Sequence, residues 1–282
     1  MGDRVYYHHP DDNQYSLAFV TDNRSEITHP DDAKIERYSF DREFYVLYTE
    51  SGPSGFVDES ATQISIEIVG ALQPDDRIIT LRYLRLFQEV VKQKERDEGI
   101  PPKMYKGRDD EEIAAALEHV NWGSIASDVA GELMSSLVLK HPLPNANHRT
   151  AISMAGWYLR SANADFSLPN LATEDYRWKR WVDDSIVKSK RLITVRRNTT
   201  AFGLLQKWGC DTIVRKGDVL INLSEFRLDV PQSEAFEIYA IEHTELCTEF
   251  MREIVDRAGV DELARMEGPT KQEFADFLRD AE

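Results

Sequence analysis

Hydrophobic and polar positions change their spacing along the chain, and this change separates strand-like regions from helical ones. Tyr15–Thr21 and Glu43–Tyr48 are short runs rich in aromatic and aliphatic residues, and they predict two strands. Ser51–Gly55, with the sequence Ser-Gly-Pro-Ser-Gly, is typical of a linker or loop. Residues 1–70 are therefore expected to form a small β-containing segment.

From Gln73 onward, apolar residues recur every three or four positions, a spacing typical of amphipathic helices. A first helix is expected to begin at Pro74 and to stop near Gly99, where glycine and two prolines interrupt the pattern. A second helix is expected over Asp109–His119. The apolar face of the first helix consists of Ile79, Tyr83, Leu84, Phe87, Val90 and Val91.

Two further helices flank a short polar loop. Ser124 is the predicted N-cap of the first of these helices, and this helix is expected to run to about Lys140. The apolar stripe of this helix consists of Ile125, Val129, Leu133 and Leu137. Another helix is predicted over His148–Ala162. The loop His141–Asn147 is thus expected to join two buried helices.

The C-terminal part of the sequence mixes helices with a hairpin. A long helix is expected over Glu174–Leu205, and Thr212–Asp229 alternates around a central turn as a β-hairpin does. Ala235–Ala258 and Lys271–Asp280 predict two amphipathic helices. The core candidates of the long helix region are Trp178, Trp181 and Ile186.

Composition narrows the functional classes. Asp and Glu (50) outnumber Lys and Arg (34), and the resulting net charge of −16 argues against a general nucleic-acid-binding surface. Arg (22) exceeds Lys (12), and an acidic, lysine-poor chain suits high salt, so we hypothesise a halophilic source. The sequence has no membrane-spanning apolar run and no signal pattern, which favours a cytoplasmic protein. Cys210 and Cys247 are expected to be buried, and His8 and His9 to lie in a mobile terminus rather than at a metal site.

The loop before the His148 helix has residue types suited to one kind of chemistry. It has the sequence His141-Pro-Leu-Pro-Asn-Ala-Asn-His-Arg149. The first amides of a helix have no intrahelical acceptor and lie at the positive end of the helix dipole. Ala146 permits close approach of an anion, and Arg149 can add charge-assisted hydrogen bonds. An imidazole beside such a site suits phosphoryl or nucleotidyl transfer to a hydroxyl, which needs a base and fixed positive potential.

This motif resembles the active-site loop of the Fic/Doc family. Fic proteins have His-Pro-Phe-x-Asp/Glu-Gly-Asn-Gly-Arg-x-x-Arg, and the Doc (death-on-curing) branch has His-x-Phe-x-Asp-Ala-Asn-Lys-Arg-Thr-Ala. The segment Asn145-Ala-Asn-His-Arg-Thr-Ala151 is similar to the Doc branch. The resemblance covers roughly residues 75–170, including Gly99–Lys106, where the family has its substrate-docking flap. It implies a mainly α protein with a Fic-like helical bundle core (71–170), a β-containing N-terminal segment (1–70) and an α+β C-terminal extension (171–282).

The resemblance also assigns roles by position. His141 would be the catalytic base that takes the proton from the target hydroxyl. Ala146, Asn147 and His148 would line the nucleotide phosphate cradle, with Asn147 bonded to a phosphate oxygen. Arg149 would be the second catalytic residue, because it would neutralise the phosphate charge.

Four positions depart from the motif of the family. Leu143 replaces Phe and is expected to anchor the loop in the core. Asn145 stands at the position of the acid that binds Mg²⁺; it is the candidate metal and phosphate ligand, although a neutral amide oxygen is a weaker ligand. Ile152 replaces the second arginine, as in Doc proteins, which favours a reaction other than AMP transfer. His148 replaces Gly or Lys and is expected to donate to phosphate when protonated, below about pH 6.5.

The resemblance implies a transferase that moves a phosphoryl or nucleotidyl group from ATP or another nucleoside triphosphate, with Mg²⁺, to a protein hydroxyl. It implies a toxin-like role, with a translation factor as one target and a separate antitoxin-like partner as inhibitor. The alternative is a Fic-like scaffold that has lost catalysis and acts as a nucleotide-sensing or protein-interaction module. A DNA-linked regulator that uses the C-terminal hairpin is disfavoured by the charge, and no membrane partner is expected.

Overall fold

The computed structural model describes residues 4–27, 33–50, 66–99, 102–174 and 177–281. Helices dominate these residues, as the apolar spacing predicts, so the protein is mainly α. The predicted linker Ser51–Gly55 lies outside the described residues. The α-helices of the described residues are α1 (Ile66–Ala71), α2 (Pro74–Glu98), α3 (Glu111–Leu117), α4 (Ala126–Lys140), α5 (Asn147–Ala162), α6 (Arg180–Lys207), α7 (Gln232–Ala258) and α8 (Lys271–Asp280).

The strands form two small sheets. They are β1 (Arg4–Tyr6), β2 (His8–His9), β3 (Asp12–Thr21), β4 (Ala33–Ser39), β5 (Glu43–Glu50), β6 (Thr212–Arg215) and β7 (Val219–Asn222). In one sheet, β1 pairs in parallel with β6, which pairs antiparallel with β7. The other sheet is antiparallel with the order β2-β3-β5-β4. The two predicted N-terminal strands are confirmed as β3 and β5, and the predicted hairpin is confirmed as β6 and β7, whereas β1, β2 and β4 were not predicted.

The chain forms two compact units, and each is built from two separate stretches of sequence. Unit 1 consists of residues 1–54 and 190–241, and unit 2 of residues 55–189 and 242–282. This division differs from the expected boundaries at residues 70 and 170. The physical reason is the pairing of β1 with β6, which joins the N-terminal segment to the C-terminal hairpin in one sheet.

Aromatic side chains form much of the core of unit 1. Phe44 in β5 is fully buried, and its ring centroid lies 5.5 Å from that of Phe40 and 5.2 Å from that of Trp208. The Tyr48 hydroxyl donates a hydrogen bond of 2.8 Å to the carbonyl oxygen of Tyr6. This bond links the four-stranded sheet to the three-stranded one, because Tyr48 lies in β5 and Tyr6 in β1.

The expectation of a mobile terminus at His8 and His9 is wrong. Both residues form β2 and pair with β3. The imidazole Nδ1 of His8 lies 3.0 Å from Ser16 Oγ. Burial, together with the nearby charges of Arg215 and Lys216, lowers the pKa of His8 from its usual value of 6.5 to about 4. The imidazole of His8 is therefore neutral in the folded protein near neutral pH.

His8 should make the stability of unit 1 sensitive to acid. Between pH 6.5 and about 4 the unfolded chain binds a proton at this ring and the folded chain does not, so the free energy of unfolding falls as the pH falls through this window. We expect His8→Gln to remove roughly 1–2 kcal/mol of that loss, less than the full pKa shift implies because the ring is only partly buried. Urea unfolding at about pH 7 and about pH 4.5 measures the difference.

His119→Gln is the control for this prediction, because it replaces an exposed histidine. It should leave the acid-dependent loss of stability unchanged. An equal acid-dependent loss in His8→Gln and in the unmodified protein would contradict the assignment to His8.

Unit 2 is a helical bundle in which α4 packs against α5, and α8 against α2. The Phe274 ring of α8 meets the Tyr158 ring of α5 edge to face, with centroids 5.2 Å apart. Gly131 in α4 lies directly against the backbone of α7, since a Cβ at this position would lie 2.4 Å from the Cα of Thr248. The two helices can approach so closely only because residue 131 has no side chain. The predicted stripe of α4 is buried at Val129, Leu133 and Leu137.

Two predicted helix starts differ from the structure. Ser124 is not the N-cap of α4; Ile125 occupies that position in an extended conformation. The physical reason is an antiparallel bridge between Ile125 and Glu267, which keeps residue 125 out of the helix. The long helix expected from Glu174 begins only at Arg180, in α6, and residues 175 and 176 lie outside the described part of the chain.

Burial at the remaining core candidates is mixed. Ile186 is buried, as expected, whereas Trp178 and Trp181 are only half-buried. Cys210 and Cys247 are buried free thiols, which confirms the expectation. Burial raises the thiol pKa of Cys210 to about 11. None of the helices described here is long and apolar enough to cross a membrane.

Candidate functional site

The loop between α4 and α5 is framed by two residues in the left-handed conformation. His141 follows the last residue of α4 with φ 52° and ψ 50°, and Ala146 precedes α5 with φ 57° and ψ 18°. For a residue with a side chain this conformation costs roughly 1 kcal/mol or more. Such strain persists only where the surrounding packing holds it, and it is concentrated at functional sites. The two outliers therefore mark this loop as the candidate site.

The ring of His141 lies next to the first residue of α5. Its backbone N–H donates to the Leu137 carbonyl at 3.2 Å, and its carbonyl oxygen accepts a hydrogen bond from the Lys106 ammonium. Its imidazole Nε2 lies 3.3 Å from the side-chain Nδ2 of Asn147. The imidazole and the entrance of the helix are therefore adjacent, which is the juxtaposition that a base beside an anion site requires.

Asn147 holds the loop closed and orients His141. Its Oδ1 accepts the Leu143 N–H at 3.0 Å, and its Nδ2 donates to the Leu143 carbonyl at 2.9 Å. These two backbone groups fix which end of the amide is nitrogen, so the atom beside His141 is a donor. Because Nδ2 can only donate, Nε2 of His141 must present a lone pair, and a neutral ring then carries its proton on Nδ1. The amide therefore leaves a basic nitrogen at the helix entrance.

Asn147→Asp should destabilise the loop. The new carboxylate can still accept the Leu143 N–H, but it cannot donate to the Leu143 carbonyl or to His141. Because the side chain is only 4% exposed, water does not replace the lost bond, and we expect the free energy of unfolding to fall by about 1–3 kcal/mol. Urea unfolding measures this change.

The matched control for this substitution is Asn163→Asp. Among the described residues, the side chain of Asn163 makes one hydrogen bond, in which its Oδ1 accepts the Asp165 N–H at 2.9 Å, and a carboxylate can accept the same bond. The control should therefore unfold as the unmodified protein does. A loss of stability that is as large in Asn163→Asp as in Asn147→Asp would contradict the stabilising role of the Asn147 hydrogen bonds to Leu143.

Leu143 anchors the loop, as expected. Its side chain is fully buried, between Pro142 and Pro144, which are also buried. Ile152 on α5 is 1% exposed, so an apolar residue fills the place where the Fic motif has its second arginine. The loop is thus held by the buried side chain of Leu143 and by the hydrogen bonds of Asn147 to the Leu143 backbone.

A neighbouring segment runs alongside the loop. The backbone N–H of Tyr105 donates to the Pro144 carbonyl at 3.1 Å, and that of Asp109 donates to the Pro142 carbonyl at 2.9 Å. Met104 is buried, whereas the Tyr105 side chain is 37% exposed. The part of the predicted flap that the structure describes therefore lies against the candidate site, and residues 100 and 101 lie outside the described residues.

Asn145 is a poor candidate for a metal ligand. Its Nδ2 donates to the Lys103 carbonyl at 2.6 Å, and its Oδ1 accepts the Ala146 N–H at 2.6 Å. Mg²⁺ prefers carboxylate oxygens, and a single amide oxygen already engaged by an N–H has little to offer it. Among the described residues there is no group of three or more His, Cys, Asp or Glu side chains that could hold a metal ion. The residues present do not fit a protein-held Mg²⁺.

Positive potential is concentrated at the start of α5. This helix has no acidic residue in its first turn, although the chain as a whole has a net charge of −16. Arg149 lies in that turn, and its Cζ is 3.8 Å from the ring centroid of Trp178, so the guanidinium lies over the face of the indole. The helix dipole and Arg149 therefore act in the same direction, and both favour a bound anion.

The ring of His148 is turned into the bundle. Its Nε2 lies 2.8 Å from Ser189 Oγ, which in turn lies 2.7 Å from Nε2 of His243. The Nδ1 of His243 lies 2.7 Å from Ser135 Oγ. Nothing in the local sequence pattern indicates these partners, since they stand singly on separate helices without a shared motif. The available signal is Ser135, a serine between the apolar residues Leu133 and Leu137 of α4.

Comparison with known proteins gives a family without an assigned role. The family described as "Family of unknown function (DUF8172)" matches residues 1–282. Neither the curated proteins nor the solved structures contain a match to this chain. A function therefore has to be argued from the residues of the site.

Proposed function

The chain belongs to this family of unknown function (DUF8172), and we propose that it is a Fic/Doc-type transferase acting on a protein hydroxyl. The observation that carries the proposal is the position of the His141 imidazole at the entrance of α5, where its Nε2 lies 3.3 Å from Asn147 Nδ2. The motif resemblance of the loop supports the same assignment. The described part of the flap, bonded through the Tyr105 N–H to the Pro144 carbonyl, also supports the proposal.

In the proposed reaction, the oxygen of a serine or threonine hydroxyl on the target protein attacks a phosphorus atom of the bound nucleoside triphosphate. The hydroxyl replaces the Asn147 Nδ2–H at the lone pair of His141 Nε2, and its proton passes to that nitrogen as the new oxygen–phosphorus bond forms. The bond from phosphorus to the leaving oxygen breaks at the same time, and its electron pair stays on that oxygen. The leaving group is ADP when the γ-phosphoryl group is transferred and pyrophosphate when AMP is transferred.

The chain contributes fixed positive potential to this step. The first amides of α5 lie at the positive end of its dipole, and Arg149, stacked on Trp178, adds a full charge. Both are in place before the substrate arrives, so little reorganisation accompanies the reaction. Mg²⁺ would enter with the triphosphate, because Asn145 is not suited to hold it.

We propose phosphoryl rather than AMP transfer. The position of the second Fic arginine is occupied by Ile152, an apolar side chain that is 1% exposed and cannot reach a phosphate. Fewer cationic groups are then left to hold the two outer phosphates as a leaving group. The target class is a translation factor, and a separate antitoxin-like protein is the proposed inhibitor; both follow from the resemblance.

The decisive experiment uses ATP labelled at either the α or the γ phosphorus. The chain is incubated with Mg²⁺, the labelled ATP and purified translation factors, and the factors are then analysed by intact mass. Transfer of the γ label, with a mass increase of one phosphate, is the expected result. Transfer of the α label would show that AMP is transferred instead of the phosphoryl group, and the protein would still be a Fic/Doc-type transferase.

The alternative function is a nucleotide-sensing module on the same scaffold. The engagement of Asn145 Oδ1 by the Ala146 N–H favours it, because catalysis in the family depends on an acid at that position. Saturable binding of ATP without transfer of either label to any factor would favour this alternative over the proposed transferase.

A further inference from the structure

A row of polar side chains crosses the helical bundle of unit 2. It begins at His148 in α5 and continues through Ser189 in α6 and His243 in α7 to Ser135 in α4. Successive polar atoms lie 2.8, 2.7 and 2.7 Å apart. Ser135, Ser189 and His243 are at most 1% exposed, so water does not mediate these contacts. Four helices thus each contribute one member to a continuous hydrogen-bonded chain.

Ser189 restricts the protonation pattern of the two histidines. Its hydroxyl has one proton, and within the described chain its hydrogen-bond partners are Nε2 of His148 and Nε2 of His243. The hydroxyl can donate to only one of these rings, so the other ring must donate its own Nε2–H to the serine oxygen. The proton state of one ring therefore constrains that of the other.

At Ser135, the other end of the row, the hydrogen bonds can run in either donor-to-acceptor direction. Ser135 Oγ lies 2.7 Å from Nδ1 of His243 and 3.0 Å from Thr244 Oγ1. Ser135 can donate to His243, or it can accept the Nδ1–H of His243 and donate to Thr244. Two arrangements of opposite direction therefore keep the row bonded, and neither places a net charge in it. Partly satisfied arrangements are disfavoured, because an unpaired buried polar group costs about 1–3 kcal/mol.

We propose that His243 is a positioning residue for the candidate site. Acting through Ser189, it determines which ring nitrogen of His148 carries the proton, so the two rings change tautomer together. The inference rests on the proposed function, because His148 is the second residue of α5, and the start of α5 is the proposed phosphate site. A purely structural role would require only that the row be bonded, and it would not require the two rings to be coupled.

The test is the tautomer state of His148, read from two-bond ¹H–¹⁵N correlation spectra of the imidazoles at about pH 8, where an ordinary histidine is neutral. The chain has seven histidines, and His148→Gln assigns the signals of this ring. In the unmodified protein we expect the Nε2 shifts of His148 and His243 to be complementary: the larger the protonated fraction at one Nε2, the smaller the fraction at the other. The key variant is His243→Phe, which keeps a ring in α7 and makes no direct change at His148.

In His243→Phe, Ser189 can donate to His148 or accept from it without constraint from a second ring, so the His148 nitrogen shifts should differ from those of the unmodified protein. Ser189→Ala should have the same effect, and it provides the test if His243→Phe does not fold. Ser135→Ala is the control, because it removes a buried hydroxyl of the row but leaves the link between the rings. His148 shifts that are the same in Ser189→Ala, in His243→Phe and in the unmodified protein would overturn the inference.

The spectra need no substrate, so this test is separable from that of the proposed function. If the tautomers are coupled but no label is transferred, the inference about His243 holds and the proposed transferase activity is rejected. If label is transferred but the tautomers are not coupled, the proposed transferase activity holds and the inference about His243 is rejected. If both hold, His243→Phe should lower the rate of transfer by roughly tenfold, the scale expected when a group at the site is slightly misplaced.

Discussion

His141→Asn should lower the rate of phosphoryl transfer by roughly 100- to 10,000-fold, the range that a general base contributes. Asparagine is the appropriate replacement because residue 141 has a positive φ of 52°, which asparagine tolerates better than alanine does. The substitution therefore removes the basic nitrogen and keeps the turn that ends α4. The measurement is the rate of label transfer from γ-labelled ATP to the target protein, with the concentration of ATP saturating.

Two controls separate the loss of the base from a loss of structure. His119→Asn replaces an exposed histidine after α3 and should leave the rate of transfer unchanged. ATP binding and urea unfolding of His141→Asn should match those of the unmodified protein. Undiminished transfer by His141→Asn would show that the base lies elsewhere, and a parallel loss of stability would show that the effect on rate is structural.

Gly131→Ala should reduce the free energy of unfolding by about 3 kcal/mol, at the upper end of the cost of overpacking a core. The new Cβ would lie 2.4 Å from the Cα and 2.7 Å from the amide nitrogen of Thr248, both backbone atoms, so α4 and α7 must move apart. This penalty exceeds the roughly 1 kcal/mol by which alanine is favoured over glycine inside a helix. The midpoint of urea unfolding measures the change.

Gly70→Ala is the matched control for this prediction. Gly70 also lies in a helix, α1, but no atom of the residues that the structure describes lies within 4 Å of the place that its Cβ would occupy. The substitution should leave stability unchanged or raise it slightly. If Gly131→Ala were as stable as Gly70→Ala, the close approach of α4 and α7 at residue 131 would be refuted.

Local signals allowed most helices of the fold to be predicted. The start of α2 at Pro74 and its end at Gly99, which has φ 71°, follow from proline and glycine chemistry. Longer-range pairing could not be predicted in this way. Ile125 is extended because it bridges Glu267, and β1 is a strand because it pairs with β6, and neither partner is visible in the local pattern.

The same difference between local signals and long-range contacts applies to the candidate site. The order of residues in the loop was sufficient to place His141 and Asn147 together, because they are separated by only a short stretch of chain. It could not show that Asn147 uses its amide on the backbone of Leu143, since that depends on the path of the folded loop. His243 could not be predicted at all, because it meets His148 through Ser189, a residue on a third helix.

The discontinuous make-up of unit 2 limits how the protein can be cut for study. A fragment that ends at residue 170 would retain the loop but lose the residues from 242 onward that complete the unit. It would expose the glycine face of α4 at Gly131, which Thr248 covers in the intact chain, and would remove Phe274 from the ring of Tyr158. Truncation at the boundary that motif matching suggests would therefore yield an incomplete core. A piece spanning residues 55–282 would in turn leave the unit 1 segment 190–241 without β1 and without Phe44 on Trp208, so residues 1–282 are the piece to express.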